Sequence, residues 1–113
     1  MDKYIYRGKL ERVVDGDTID ARVDLGFNVW IECRIRLQGI DAPETRTRDL
    51  KEKALGLQTK EFLKTIMDGA GGHFILQSHG VGKYGRCLGT IYVSGENINE
   101  RLLAEGYAVR YEK

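Results

Sequence analysis

Three short segments of this 113-residue chain carry residue types able to handle a phosphate or a hard cation. The first is Asp15-Gly16-Asp17-Thr18. Asp-Gly is common hairpin chemistry, and most such pairs only turn the chain. The acidic series and terminal Glu of an EF-hand loop do not follow it, so that class of calcium site is excluded. The second segment, Arg36-Leu37-Gln38-Gly39-Ile40-Asp41-Ala42-Pro43-Glu44, places two carboxylates shortly after an arginine. Pro43 stiffens it and biases Ala42 toward an extended conformation. Taken alone, it reads equally as a strand's polar edge whose acids are solvated or cap the next helix. The third segment, Lys83-Tyr84-Gly85-Arg86, sets two cations around an aromatic ring, a composition suited to phosphate and base contacts. It overlaps a literal G-x-G-x-x-G, Gly80-Val81-Gly82-Lys83-Tyr84-Gly85. That string opens a strand and lacks a surrounding βαβ unit, so a dinucleotide site is rejected.

The segments mean more together than apart. Asp17, Asp41 and Glu44 offer oxygen ligands to a hard cation such as calcium. Arg36 and Arg86 are guanidinium groups, which grip phosphate bidentately and stabilise the extra charge of its transition state. Carboxylates, a divalent ion and two arginines describe a site for a phosphodiester.

Positioning them requires a scaffold, and the hydropathy pattern supplies one. Apolar and polar residues alternate over 3–14, 18–25 and 29–37, which predicts three strands. Gly26-Phe27-Asn28 predicts the turn between the last two. Within 49–67, Leu55, Phe62, Leu63, Ile66 and Met67 fall on one helical stripe, with Gly69 as a stop. Residues 74–77 and 87–93 read as two further strands across a glycine-bearing loop. Asn97-Ile98-Asn99-Glu100 resembles a capping box, and the short helix it opens stops at Gly106. The fold class is therefore α+β and mainly β. It is a five-stranded closed barrel of OB type, with one helix between strands three and four and a short C-terminal helix.

Composition sets the outer limits. Hydrophobic residues make up 42% and charged residues 31%, enough apolar material for a core and too much for wholesale disorder. Eighteen Lys plus Arg against seventeen Asp plus Glu leave a net charge of +1, so any electrostatic site is local. This balance predicts modest, salt-sensitive affinity for nucleic acid. Apolar runs are far shorter than the ~20 residues of a spanning helix. Met1-Asp2-Lys3-Tyr4 has no apolar run resembling a secretory signal, which suggests an intracellular chain or a leader removed upstream. Cys33 and Cys87 lack zinc-ligand spacing and read as small buried apolar residues. His73 and His79 read as structural or solvated.

The strings Val14-Asp15-Gly16-Asp17-Thr18-Ile19, Arg36 to Glu44, Tyr84-Gly85-Arg86, and Asn99-Glu100 followed by Leu102-Leu103 and Gly106-Tyr107-Ala108 resemble the staphylococcal nuclease family. They occur in that family's order and spacing from about Lys9 to Tyr111. The resemblance implies an OB barrel and a single nuclease domain over residues 1–113. It implies a calcium-dependent enzyme that hydrolyses DNA and RNA at the 5′-oxygen bond and leaves 3′-phosphates. Asp17 and Asp41 match carboxylate ligands of calcium, Ala42 a ligand through its main-chain carbonyl, and Thr18 a position beside the metal. Glu44 matches the carboxylate that orients or deprotonates the attacking water. Arg36 and Arg86 match the arginines on the scissile phosphate, and Lys83 and Tyr84 match groups near the terminal phosphate and base. Either Tyr107 or Tyr111 would provide the aromatic platform for the base. The family's best-known member continues past the position of Lys113 into a third helix, which implies a shorter wall beside this site. The partners implied are single-stranded or frayed DNA and RNA, no membrane is expected, and the chain is expected to act as a monomer. The rival reading is a non-catalytic OB module that binds nucleic acid or protein. The charge-rich residues 46–53 read as a mobile loop leading into the helix.

Overall fold

A computed structural model describes residues 4–111, and the side chain of Tyr84 lies outside that description. The first strand, β1 (Ile5–Asp15), pairs antiparallel with β2 (Thr18–Asp24), which pairs antiparallel with β3 (Trp30–Leu37). Alternation is the cause. Ile19, Ala21 and Val23 turn inward and are buried, while Asp20, Arg22 and Asp24 take the outer face. Gly26, Phe27 and Asn28 all adopt positive φ in the β2–β3 turn, at 86°, 55° and 64°. At Phe27 this left-handed conformation costs on the order of 1–2 kcal/mol, which the flanking ladder must hold.

The chain then forms β4 (Ile40–Asp41), the helix α1 (Leu50–Gly69), β5 (His73–Val81) and β6 (Cys87–Val93). Strand β5 pairs antiparallel with both β1 and β6. The barrel closes where β6 runs parallel to β3, with Ile35 opposite Cys87, Arg36 opposite Leu88 and Leu37 opposite Gly89. The expected five-stranded barrel is thus the observed one. Among the described residues three further strands have two residues each: β4, β7 (Glu96–Asn97) on the edge of β6, and β8 (Val109–Arg110), which pairs with β4. Two residues display no periodicity, so sequence patterning does not reveal them.

Asp49 caps α1, its Oδ1 accepting from the N–H groups of Lys51 at 3.0 Å and Glu52 at 3.3 Å. Residues 50–53, expected in a mobile loop, are the first turn of this helix. The helix also runs through Gly69, the expected stop. Gly69 is its last residue and Ala70 its C-cap, and Gly71 and Gly72 then take left-handed φ. Leu63 and Met67 are fully buried, each burial stabilising the fold by roughly 1.5–3 kcal/mol. Leu55, expected on the same stripe, is instead 53% exposed. Gly56 and Thr59 occupy the inner face at that end, where the helix comes too close to residues 43–44 for a large side chain.

The second helix, α2 (Ile98–Ala104), follows the capping signal in part. Asn97 Oδ1 accepts from the N–H of Glu100 at 3.0 Å, but the Glu100 carboxylate turns to Arg110 at 3.8 Å rather than back to the cap. Gly106 follows the helix at φ 77°, as its position predicts. Buried Asn99 binds the barrel to this helix. Its Oδ1 accepts from Ile91 N–H at 3.2 Å, while its Nδ2 donates to Gln38 and Gly89 carbonyls at 3.0 and 3.1 Å. Among the described residues no helix is long and apolar enough to cross a membrane.

Candidate active site

Asp17 sits in the tight turn between β1 and β2 and is largely buried. Its Oδ2 accepts from the Ala42 N–H at 2.9 Å and its Oδ1 from the Thr18 hydroxyl at 2.9 Å. Gly16 makes that turn possible. A β-carbon there would lie 2.3 Å from Thr59 Cγ2 and 3.1 Å from Ala42 Cβ, so only glycine lets the turn pack under α1.

Arg36 leaves β3 on the side opposite the fully buried Ile35 and Leu37. Its Nη1 donates to the carbonyls of Leu37 at 3.0 Å and Ile40 at 2.8 Å, and lies 3.6 Å from Asp17 Oδ2. Nη2 is 3.4 Å from Asp41 Oδ1. Two main-chain carbonyls and two carboxylates therefore fix the guanidinium in place. The reversal at Gly39, φ 85°, brings Asp41 back beside it. Asp41's carboxyl is held above its ordinary value, first by partial desolvation and then by repulsion from Asp17, with Arg36 opposing both.

The loop that follows is tethered along its length. Glu44 N–H donates to Glu52 Oε2 at 3.1 Å, and the Thr45 hydroxyl donates to Asp15 Oδ1. Beneath it, a β-carbon at Gly56 would lie 2.6 Å from the Pro43 carbonyl oxygen and 2.7 Å from that of Glu44. Glu44 is thus an exposed carboxylate on a fixed main chain. On the β5–β6 side, a 3-10 turn at Lys83–Gly85 is closed by the Gly82 N–H donating to the Arg86 carbonyl at 2.8 Å. Tyr84 belongs to this turn, but the role assigned to its side chain lies outside the described residues.

These segments line one cleft of about 840 Å³, which brings together Asp17, Arg36, Asp41, Ala42, Glu44, Lys83 and Arg86. Sequence reasoning left Tyr107 and Tyr111 unresolved. Tyr111 lines the cleft and its ring lies 5.7 Å from the Arg36 guanidinium. Tyr107 stacks on Phe62 with centroids 4.2 Å apart, on the packing surface between α1 and the C-terminal segment. Arg46 also lines the cleft and was missed, because a single arginine in a charge-rich stretch has no distinguishing pattern. Cys33 and Cys87 are free and half-buried at the β3–β6 closure rather than fully buried. Burial, then the neighbouring Cys87, pushes the Cys33 thiol up to about 12, so it is a poor nucleophile. His79 is exposed, with Nε2 2.9 Å from the Thr90 hydroxyl.

The donor set fits a hard cation. Asp17 and Asp41 carry carboxylate oxygens, Ala42 beside them lines the same cleft, and a cation between the two acids would relieve the repulsion felt at Asp41. Among the described residues no three His, Cys, Asp or Glu side chains converge at metal-ligand spacing. The remaining ligands of such an ion would have to be main chain, water or substrate.

A barrel of five strands closed by one parallel pair, flanked by two helices and bearing an acid–arginine cleft, defines an OB-type fold with a charged site. The family model described as staphylococcal nuclease homologue matches residues 34–113, and the chain belongs to that family. It is 34% identical to endonuclease YhcR of Bacillus subtilis over 114 residues, covering 94% of this chain and 9% of that protein. It is 31% identical to a micrococcal nuclease of Shigella flexneri over 115 residues, covering 94% of this chain and 59% of the relative. The thermonuclease of Staphylococcus hyicus is 29% identical over 100 residues, covering 88% of this chain and 56% of the relative. The chain thus spans less than two-thirds of the length of each of these relatives.

Proposed function

We propose that this chain is a calcium-dependent nuclease domain that hydrolyses DNA and RNA at the 5′-oxygen bond and leaves 3′-phosphates. The observation that carries the reading is the convergence of Asp17, Arg36, Asp41, Glu44 and Arg86, from separate segments, on one cleft. The nuclease names of the relatives support it. Calcium held by Asp17, Asp41 and the Ala42 carbonyl would lower the charge cost of bringing water and a phosphodiester together.

The protein's own groups do the rest. Arg36 commits both Nη1 protons to carbonyls and one Nη2 proton to Asp41, which leaves Nε–H and the second Nη2 proton to meet phosphate in a fixed orientation. With Arg86 it stabilises the equatorial oxygens as they gain charge, an interaction stronger in the transition state than in the ground state. Glu44 orients or deprotonates the attacking water, its loop held by Glu52 and Gly56. Lys83 and Tyr84 take the terminal phosphate and base, with Tyr111 as the aromatic platform near Arg36. In this reading the substrate is single-stranded or frayed, and residues 1–113 act as one domain and a monomer.

Digestion of single-stranded DNA with calcium or EDTA tests the proposal. Wild-type protein should cleave only with calcium and leave 3′-phosphate ends. Arg86→Ala and Glu44→Ala should each lower kcat by roughly a hundred- to a thousandfold while remaining folded. Folded wild-type protein that binds the DNA and leaves it intact in calcium would replace this reading with a binding module.

A further inference from the structure

Arg46 lies two residues beyond Glu44 and lines the same cleft as Lys83, Arg36 and Arg86, yet the reaction described above assigns it nothing. We propose that Arg46 binds a substrate phosphate flanking the scissile one, and so makes the site prefer a polynucleotide strand over a short phosphodiester. The proposal rests on the nuclease reading and extends it to substrate length.

Three observations point to Arg46. The cleft, about 840 Å³, lies toward the upper end of ordinary ligand pockets, so it has room for more than the reacting phosphate. Arg46 and Lys83 arrive on different loops, so a strand lying in the cleft meets a cation from each. The Arg46 loop is also tethered on both sides of the arginine. Ala42 N–H is bound to Asp17, Glu44 N–H to Glu52, and the Thr45 hydroxyl to Asp15, while Asp49 anchors the far end as the α1 cap.

Charge supports the same assignment. Arg36 lies between Asp17 and Asp41, whereas among the described residues neither Arg46 nor Lys83 has a carboxylate within ion-pair distance. Arg46 is exposed, so its guanidinium can take a phosphate without first breaking a buried pair. A contact of this kind adds to binding of the strand and leaves the reacting atoms alone.

The test compares Arg46→Ala with wild type on a single-stranded oligonucleotide of about twenty nucleotides and on a nitrophenyl ester of a mononucleotide, both in calcium. The ratio of kcat/KM for the oligonucleotide to that for the ester should fall about tenfold, through KM, with Arg46→Lys between the two. Binding of the oligonucleotide in EDTA should lose about 0.7 from the slope of log affinity against log salt, one phosphate contact on a single strand. An unchanged ratio with an unchanged slope, or equal losses on both substrates, would overturn the assignment. Wild-type protein that cleaves neither substrate would end the nuclease reading, and the salt slope would still decide whether Arg46 holds a phosphate.

Discussion

Asp20 on the outer face of β2 meets two guanidinium groups, Arg34 Nε at 2.8 Å and Arg12 Nε at 2.9 Å. Chiefly through Arg34, its carboxyl is lowered to about 2. The folded state thus holds the charged form more tightly than the unfolded chain does. That stability is present above pH 4 and is lost as pH falls from about 4 to about 2. Both arginines are well exposed, so solvent screening cuts its worth to about 1 kcal/mol. Asp20→Asn should lower stability in urea by about that amount at pH 7 and flatten the acid limb over this window. Asp41 has the opposite sign. Its raised carboxyl means that the fold holds a charge it disfavours, and the Asp41→Asn protein in EDTA should melt higher than wild type at neutral pH. Calcium should then raise the melting temperature of wild type, by about 2.7 kcal/mol of stability at a hundredfold excess over its dissociation constant, and leave Asp41→Asn unmoved. At this scale the sequence was legible in types and not in geometry. Asp17, Arg36 and Asp41 could be named from their motif, but nothing in it shows the Leu37 and Ile40 carbonyls gripping Arg36.

Elements with a repeating hydropathy were readable, and those set by a single close approach were not. The alternation of β2, the inward Ile35 and Leu37 of β3 and the bounds of β6 follow from patterning alone, whereas Val29 and Ile31, read on that same face of the strand, are exposed. The two-residue strands β4 and β8 form because the Gly39 reversal and the segment after α2 bring main chains together. Helix α1 shows the contrast best. A glycine inside a helix reads as a weak point, and replacing it by alanine in an exposed helix gains about 1 kcal/mol. Gly56 faces the Pro43 and Glu44 carbonyl oxygens, main-chain atoms that have no rotamer in which to yield. Gly56→Ala should therefore destabilise the protein by about 1–3 kcal/mol despite the better helix former. Because the displaced main chain carries Glu44, the same variant should lose the proposed nuclease activity at temperatures where circular dichroism shows it folded. A gain in melting temperature would show that the helix and loop can separate there.

At the scale of the whole molecule, the expected barrel and its two helices are present, and the residues of the candidate site gather at their junctions. Turn β1–β2 gives Asp17, the end of β3 gives Arg36, the loop before α1 gives Glu44, and the loop before β6 gives Arg86. No pair of neighbouring elements contains the whole set. That is why separate motifs in the sequence suggested the chemistry, while their assembly depended on topology. The closure of the barrel is short, three residue pairs between β3 and β6. Arg36 is within that seam, and Arg86 immediately precedes its other side. The strands that meet there are remote in sequence, so the contact bears a large loop-closure cost and belongs among the late events of folding. A chain still emerging from synthesis, or one whose seam has opened, cannot hold these two arginines in register. Completeness of the barrel is thereby a precondition of the cleft, and a half-made copy of this protein carries the residues of the site without the site.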